Sequence, residues 1–209
     1  MNIEFYFDPG CPFCWITSRW LLMVSEHRDI NISWRPFSLA IKNNQLDTSD
    51  KSKYAILARS SIRVLRVILA AQDNDASIID LYTDFGIQHH VAGMEFNDEM
   101  IAKVLVKHKL PAKLLDAADD KNYDKQLRAS IKTATDICGQ DIGVPTIIFV
   151  LDDGSKNGYF GPVLQELPNL EESLKLWDGL SLLATNKSFY ELKRSRPEGD
   201  PNVFSTAKC

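Results

Sequence analysis

Cys11 and Cys14 stand three positions apart in the run Phe7-Asp8-Pro9-Gly10-Cys11-Pro12-Phe13-Cys14-Trp15. A chain of 209 residues is long enough to build its own core, so a lone CxxC points to redox or metal chemistry rather than to a disulfide framework. The motif lies where a strand pattern gives way to a helix pattern. Cys11 then falls near the helix N-cap, with Pro12 at the first helical position, where the missing N–H of proline costs nothing. The Cys11 sulfur faces free backbone N–H groups and the positive end of the helix dipole, worth about 0.3–1 kcal/mol to a thiolate. The thiolate is the form that attacks. A spacing of three puts both sulfurs on one face of the first turn, close enough for a disulfide. Cys11 is therefore expected to be the nucleophile. Cys14, one turn deeper and more buried, is expected to resolve the mixed disulfide.

The dipeptide between the cysteines, Pro12-Phe13, offers no hydrogen-bonding side chain to a thiolate. This predicts a reducing or intermediate potential, well below the strongly oxidising value of about −120 mV. Zinc is the competing use of a CxxC. It needs two further ligands, but there is no second CxxC, and His89 and His90 are adjacent rather than ligand-spaced.

A second signal is Gly143-Val144-Pro145-Thr146, opening the apolar run Ile147 to Val150. On its own it is a strand-edge proline. Paired with a strand–CPxC–helix start, it reads as a cis-proline loop. There Val144 would offer its backbone N–H and C=O to an extended substrate.

The elements that must position these residues follow from periodicity. Ile3, Phe5 and Phe7 alternate as a strand, and Asp8-Pro9-Gly10 breaks it. A helix is expected from Pro12 to about His27, then a strand over Ile30 to Pro36, together a βαβ unit. A polar loop follows. Helical patterns then fill 51–73, 77–85, 97–108 and 111–138. Sheet returns at Val144 to Leu151, with a turn at Asp152-Asp153-Gly154 and a returning strand at Gly158 to Phe160. A last helix fits Val163 to Trp177. The expected fold is α/β, a thioredoxin fold whose mixed central sheet is flanked by helices. Its domain comprises residues 1–49 and 139–197, with a helical insertion domain at 50–138 and a loosely ordered tail at 198–209.

A net charge of −4 and a pI near 5.6 argue against a general nucleic-acid binder. No apolar run is long enough for a membrane span. No basic stretch precedes an apolar one at the N-terminus, so a cytoplasmic location is expected.

The blocks CPFCWITSRW, SLAIKN, LYTDFG, GVPTIIF, FGPVLQELP, KLWD and FYELKRSR extend the motif across nearly the whole chain. In kind and order they resemble the DsbA-like branch of the thioredoxin superfamily, and within it the actinobacterial mycothiol-dependent nitroreductases. The resemblance implies an enzyme without a tightly bound cofactor. Mycothiol would be its reducing co-substrate, with disulfides or nitro-aromatic compounds as acceptors. It also implies that Phe13, Asn43, Tyr54 and His90 line the substrate pocket and that Pro145 is the cis-proline. That group has tryptophan where this chain has Phe13 and threonine where it has Val144. Losing the indole removes an N–H donor and stacking area.

Two rival enzymes share parts of this pattern. An exported DsbA-type protein oxidant usually has a more polar central dipeptide and needs a leader. A kappa-class glutathione-transferase-like enzyme or isomerase activates a bound thiol with a serine or a single cysteine. Elsewhere, Arg59, Arg63 and Arg66 form a basic stripe at helical spacing, read as a solvated face ahead of an anion-binding rim. Cys138 reads as a small buried hydrophobe, and Cys209 as an exposed terminal thiol. His90 is balanced between a pocket role and a satisfied helix-end histidine.

Overall fold

The computed structural model describes residues 1–46 and 49–207. The expected loop over 43–53 falls partly outside them, as does Cys209. Chain contacts divide the described residues into two compact units. One holds Met1–Tyr6, Pro12–Arg35 and the chain from Thr133 onward; the other holds Phe7–Cys11 and Pro36–Lys132.

The first unit is built on a four-stranded sheet in the order β2-β1-β3-β4. The strands are β1 (Asn2–Phe7), β2 (Asn31–Pro36), β3 (Thr146–Val150) and β4 (Lys156–Phe160). β1 runs antiparallel to β3 from Asn2↔Val150 to Tyr6↔Thr146, and β3 antiparallel to β4 from Thr146↔Phe160 to Val150↔Lys156. The central strands are buried on both faces, and Ile3, Phe5, Ile147, Ile148 and Phe149 form the core. This explains why β3 reads as an unbroken apolar run while edge strand β2 alternates. Helix α1 (Pro12–Ser25) packs on α7 (Leu170–Ala184). Trp20 meets Trp177 with ring centroids 6.0 Å apart and donates its indole N–H to the Ser173 carbonyl at 3.2 Å.

The second unit is helical. It contains α2 (Leu39–Lys42), α3 (Lys53–Gln72), α4 (Ile78–Gly86), a π turn at Ile87–Val91, α5 (Asp98–Lys107), 3₁₀ turns at Ala112–Asp119 and Lys121–Tyr123, and most of α6 (Asp124–Cys138). Serine or asparagine caps start most of these helices: Ser38, Ser52, Ser77 and Asn97 each accept an N–H three residues on. No helix among the described residues is long and apolar enough to cross a membrane.

Three expectations are corrected. The helical stretch expected over 111–138 is two 3₁₀ turns followed by α6. Asp120 adopts an extended backbone and caps Asn122, which breaks the run. The last helix begins at Leu170 rather than Val163, because Pro168 ends the irregular chain and Asn169 caps the start by accepting the Glu172 N–H at 3.0 Å. The tail is not loose throughout. Pro201 and Thr206 are buried, Val203–Thr206 forms a 3₁₀ turn, and Thr206 accepts the buried Trp15 indole N–H at 2.8 Å. A buried indole needs an acceptor, and the tail supplies one.

Candidate redox site

β1 ends at Phe7 and α1 starts at Pro12, so Cys11 is the last residue before the helix. Cys11 is 7% exposed and Cys14 fully buried; both are free thiols. The first turn of α1 carries no acidic residue that would oppose an anion there.

The four residues before Cys11 are held in place one by one within the helical unit. The Phe7 ring stacks on Tyr82 at 4.0 Å, and the Phe7 carbonyl accepts the Phe37 N–H at 2.8 Å. Asp8 is completely buried. Its Oδ1 accepts the Gly10 N–H at 2.9 Å and its Oδ2 accepts the Leu39 N–H at 2.8 Å. Burial pushes the Asp8 carboxyl up to about 6, against the pull of the Ser61 side chain and of these two N–H donors. The Asp8 carbonyl accepts the Cys11 N–H at 3.0 Å, closing the turn. The Pro9 carbonyl lies 2.8 Å from His90 Nε2. A carbonyl only accepts, so Nε2 carries the proton. Gly10 passes so close to α3 that a Cβ would sit 3.0 Å from the Ser61 Cβ and 3.1 Å from the Leu57 Cγ.

Next to His90, the His89 ring stacks on Phe96 at 4.2 Å and its Nδ1 lies 2.8 Å from the Met94 carbonyl. Burial lowers the His89 pKa. His90 is 8% exposed, and its located bond goes to the loop before Cys11. Asn43 caps α2 and is exposed; Tyr54, in the first turn of α3, is 63% exposed.

In the sheet unit, half-buried Phe13 carries the Arg196 guanidinium over its ring, with Cζ 4.7 Å from the centroid. The Val144–Pro145 bond is cis, as the GVPT run suggests, and the Pro145 carbonyl accepts the Gly161 N–H at 2.7 Å. A second cis bond, Gly161–Pro162, had no separate signal. Val144 is buried.

The basic stripe of α3 is tied into the protein. Arg59 donates to the carbonyls of Gln45 and Asp50, Arg63 pairs with Asp98 and Asp119, and Arg66 with Asp124. Cys138 packs against Gly158 in β4, and burial pushes its thiol up to about 12. Among the described residues no group of three or more His, Cys, Asp or Glu side chains is placed to hold a metal ion.

The family model described as Rv2466c-like, mycothiol-dependent nitroreductase Rv2466c, matches residues 10–194. The chain belongs to the Rv2466c-like family. It is also 31% identical over 207 residues to the uncharacterized protein Rv2286c of Mycobacterium tuberculosis, covering 98% of this chain and 86% of that one. Among solved structures it is similar to the cytosolic disulfide reductase DsbM of Pseudomonas aeruginosa, also solved with GSH (TM-score 0.61 for the former, 13% identity, 88% of this chain and 100% of that one). A probable DsbA oxidoreductase of Streptomyces coelicolor is similar as well (TM-score 0.57, 18% identity, 95% and 97%). These likenesses establish the DsbA-like thioredoxin fold, and the family makes the chain an oxidoreductase.

Proposed function

We propose that this chain is a mycothiol-dependent thiol–disulfide oxidoreductase in which Cys11 attacks and Cys14 resolves. The observation that carries the reading is a pair of buried free thiols at the start of α1, the first of them on a loop bonded at every residue from Phe7 to Cys11. The positive end of the dipole of the 14-residue α1 lies beside Cys11, which supports its role as the attacking residue.

The electron count closes for both acceptor types. With a disulfide, the Cys11 thiolate attacks one sulfur and expels the first thiolate. Cys14 then gives up its proton and attacks Cys11, releasing the second thiol and leaving the protein disulfide. With a nitro-arene, the dithiol gives two electrons and two protons, yielding the nitroso compound, water and the protein disulfide. Two mycothiol molecules restore the dithiol and leave as mycothiol disulfide. Phe13, Asn43, Tyr54, His90, Val144 and Pro145 are the proposed contacts of the acceptor and the thiol. His90 would contribute by fixing the Pro9 carbonyl. Val144, before the cis-proline, would contribute by backbone pairing. The proposed location is the cytoplasm, where a thiol pool keeps such a dithiol reduced.

Turnover of a disulfide and of a nitro-arene, driven by mycothiol, glutathione or thioredoxin in turn, tests the proposal. Wild type should turn over with mycothiol and Cys11→Ser should fall to background. Cys14→Ser should stall as a mixed disulfide visible by mass. Turnover that survives in Cys11→Ser would sink the assignment.

A further inference from the structure

Arg196 comes from the irregular stretch after α7, and that stretch is fastened within the sheet unit on both sides. Before Arg196, the Phe189 ring packs tilted against Tyr159 with centroids 5.8 Å apart, and its carbonyl accepts the Tyr159 hydroxyl at 2.9 Å. After it, Asn202 donates its N–H to the Gln165 carbonyl at 2.8 Å, and Thr206 binds the Trp15 indole. Trp15 lies two residues beyond Phe13 on α1. The guanidinium over Phe13 is thus delivered by an anchored segment, not by a free tail.

Arg28, Arg35, Arg63 and Arg66 each pair with a carboxylate. Arg59 donates to two backbone carbonyls, and Arg19 lies buried over the Trp15 ring with Cζ 4.2 Å from the centroid. Arg196 is exposed. Among the described residues no carboxylate pairs with Arg196, whose located partner is the Phe13 ring. A guanidinium held by its central carbon against a ring keeps the N–H groups on its edge available for a planar anion. Phe13 stands between the two cysteines in sequence, so the ring that seats Arg196 belongs to the redox motif itself.

We infer that Arg196, seated on Phe13, binds a carboxylate carried by the disulfide or nitro-aromatic acceptor and so selects anionic acceptors over neutral ones. The inference rests on the dithiol reading above and adds the charge class of the acceptor. The redox step is unchanged: two electrons pass from the dithiol to the acceptor disulfide, which leaves as two thiols, while Arg196 exchanges no proton or electron.

The test uses pre-reduced full-length protein, mixed rapidly with one of two aromatic disulfides. One is 5,5′-dithiobis(2-nitrobenzoate), with a carboxylate on each ring; the other is neutral 4,4′-dithiodipyridine. Loss of one contact charge in Arg196→Gln should slow the anionic probe about tenfold at low salt. Arg196→Glu should slow it further, and Arg196→Lys should recover part of the loss. The neutral probe should stay within about twofold of wild type, and high salt should narrow the difference between probes. Equal slowing of both probes would mean that Arg196 acts on the dithiol or on folding, and would overturn the proposal. So would no slowing of either. Thiol release that persists in Cys11→Ser overturns the dithiol reading and this inference together. Release lost in Cys11→Ser but indifferent to Arg196 overturns only the inference.

Discussion

Asp8 is the residue on which the approach to Cys11 turns, and its burial has a measurable consequence. A carboxyl held near 6 in the folded protein, against 3.8 for the free group, keeps its proton longer in the folded than in the unfolded chain. Between about pH 4 and pH 6 the folded state binds more protons, so this group's contribution to stability is full below that window and falls as pH rises through it. The loss amounts to roughly 3 kcal/mol for a shift of about two units. Urea midpoints across pH 4–7 should show that slope in wild type and lack it in Asp8→Asn; an unchanged slope would rule Asp8 out as its source. Gly10 is the second sensitive residue. A methyl there meets Ser61 and Leu57 at 3.0–3.1 Å, so Gly10→Ala should cost about 1–3 kcal/mol of stability. Thermal melting checks this, and a melting temperature equal to wild type would mean that α3 yields at no cost. The motif itself was legible in the sequence because its chemistry is local. Asp8 was not: in sequence it is one letter of a turn, and its partners Leu39 and Ser61 lie 31 and 53 positions away. A carboxyl between a buried strand and a cysteine was the signal that could have marked it.

At the scale of elements, α3 is joined to the chain after α5 by a nearly buried ion pair. Arg66 forms a two-pronged contact with Asp124 at 2.8 and 3.1 Å and also donates to the Ala118 carbonyl. Removing one partner strands the other charge, so Arg66→Ala should cost about 3–5 kcal/mol, while an apolar replacement of the pair should cost much less. Denaturation of the single and double variants decides this; if Arg66→Ala behaves like a surface substitution, the pair is not structural. The stripe to which Arg66 belongs was visible by spacing, but spacing alone could not tell paired arginines from an open anion rim. Helix ends followed the same division. α3, α4 and α5 were placed within two residues by their helical patterns, and the structure shows the serine and asparagine caps that fix their starts. α7 was misplaced by seven residues at its start because an apolar run across Pro168 looks helical until the cap at Asn169 is seen.

At the scale of the whole molecule, the tail shows what a single sequence conceals. Its polar, proline-bearing composition suggested loose order, yet Thr206 satisfies an indole 191 positions earlier. Thr206→Val should leave that N–H unsatisfied and cost about 1–3 kcal/mol. Melting of this variant beside a truncation after Gly199 should show both destabilised; a truncated chain as stable as wild type would mean the tail merely rests on the surface. The central strand after residue 143 and the cis-proline loop were readable because they follow from an apolar run and a four-residue signature; the strand order was not. The fastening of residues 189–206 was not, because it depends on pairings with no local periodicity.

The chain on the N-terminal side of the dithiol has a further implication. Every residue from Phe7 to Gly10 is positioned by side chains or backbone supplied from Pro36–Lys132. Transplanting CPFC onto a minimal thioredoxin scaffold would therefore carry over the letters of the motif without the geometry that aims its first sulfur. A family member could drift in reactivity through changes at positions 61 or 90 while its cysteines stayed untouched.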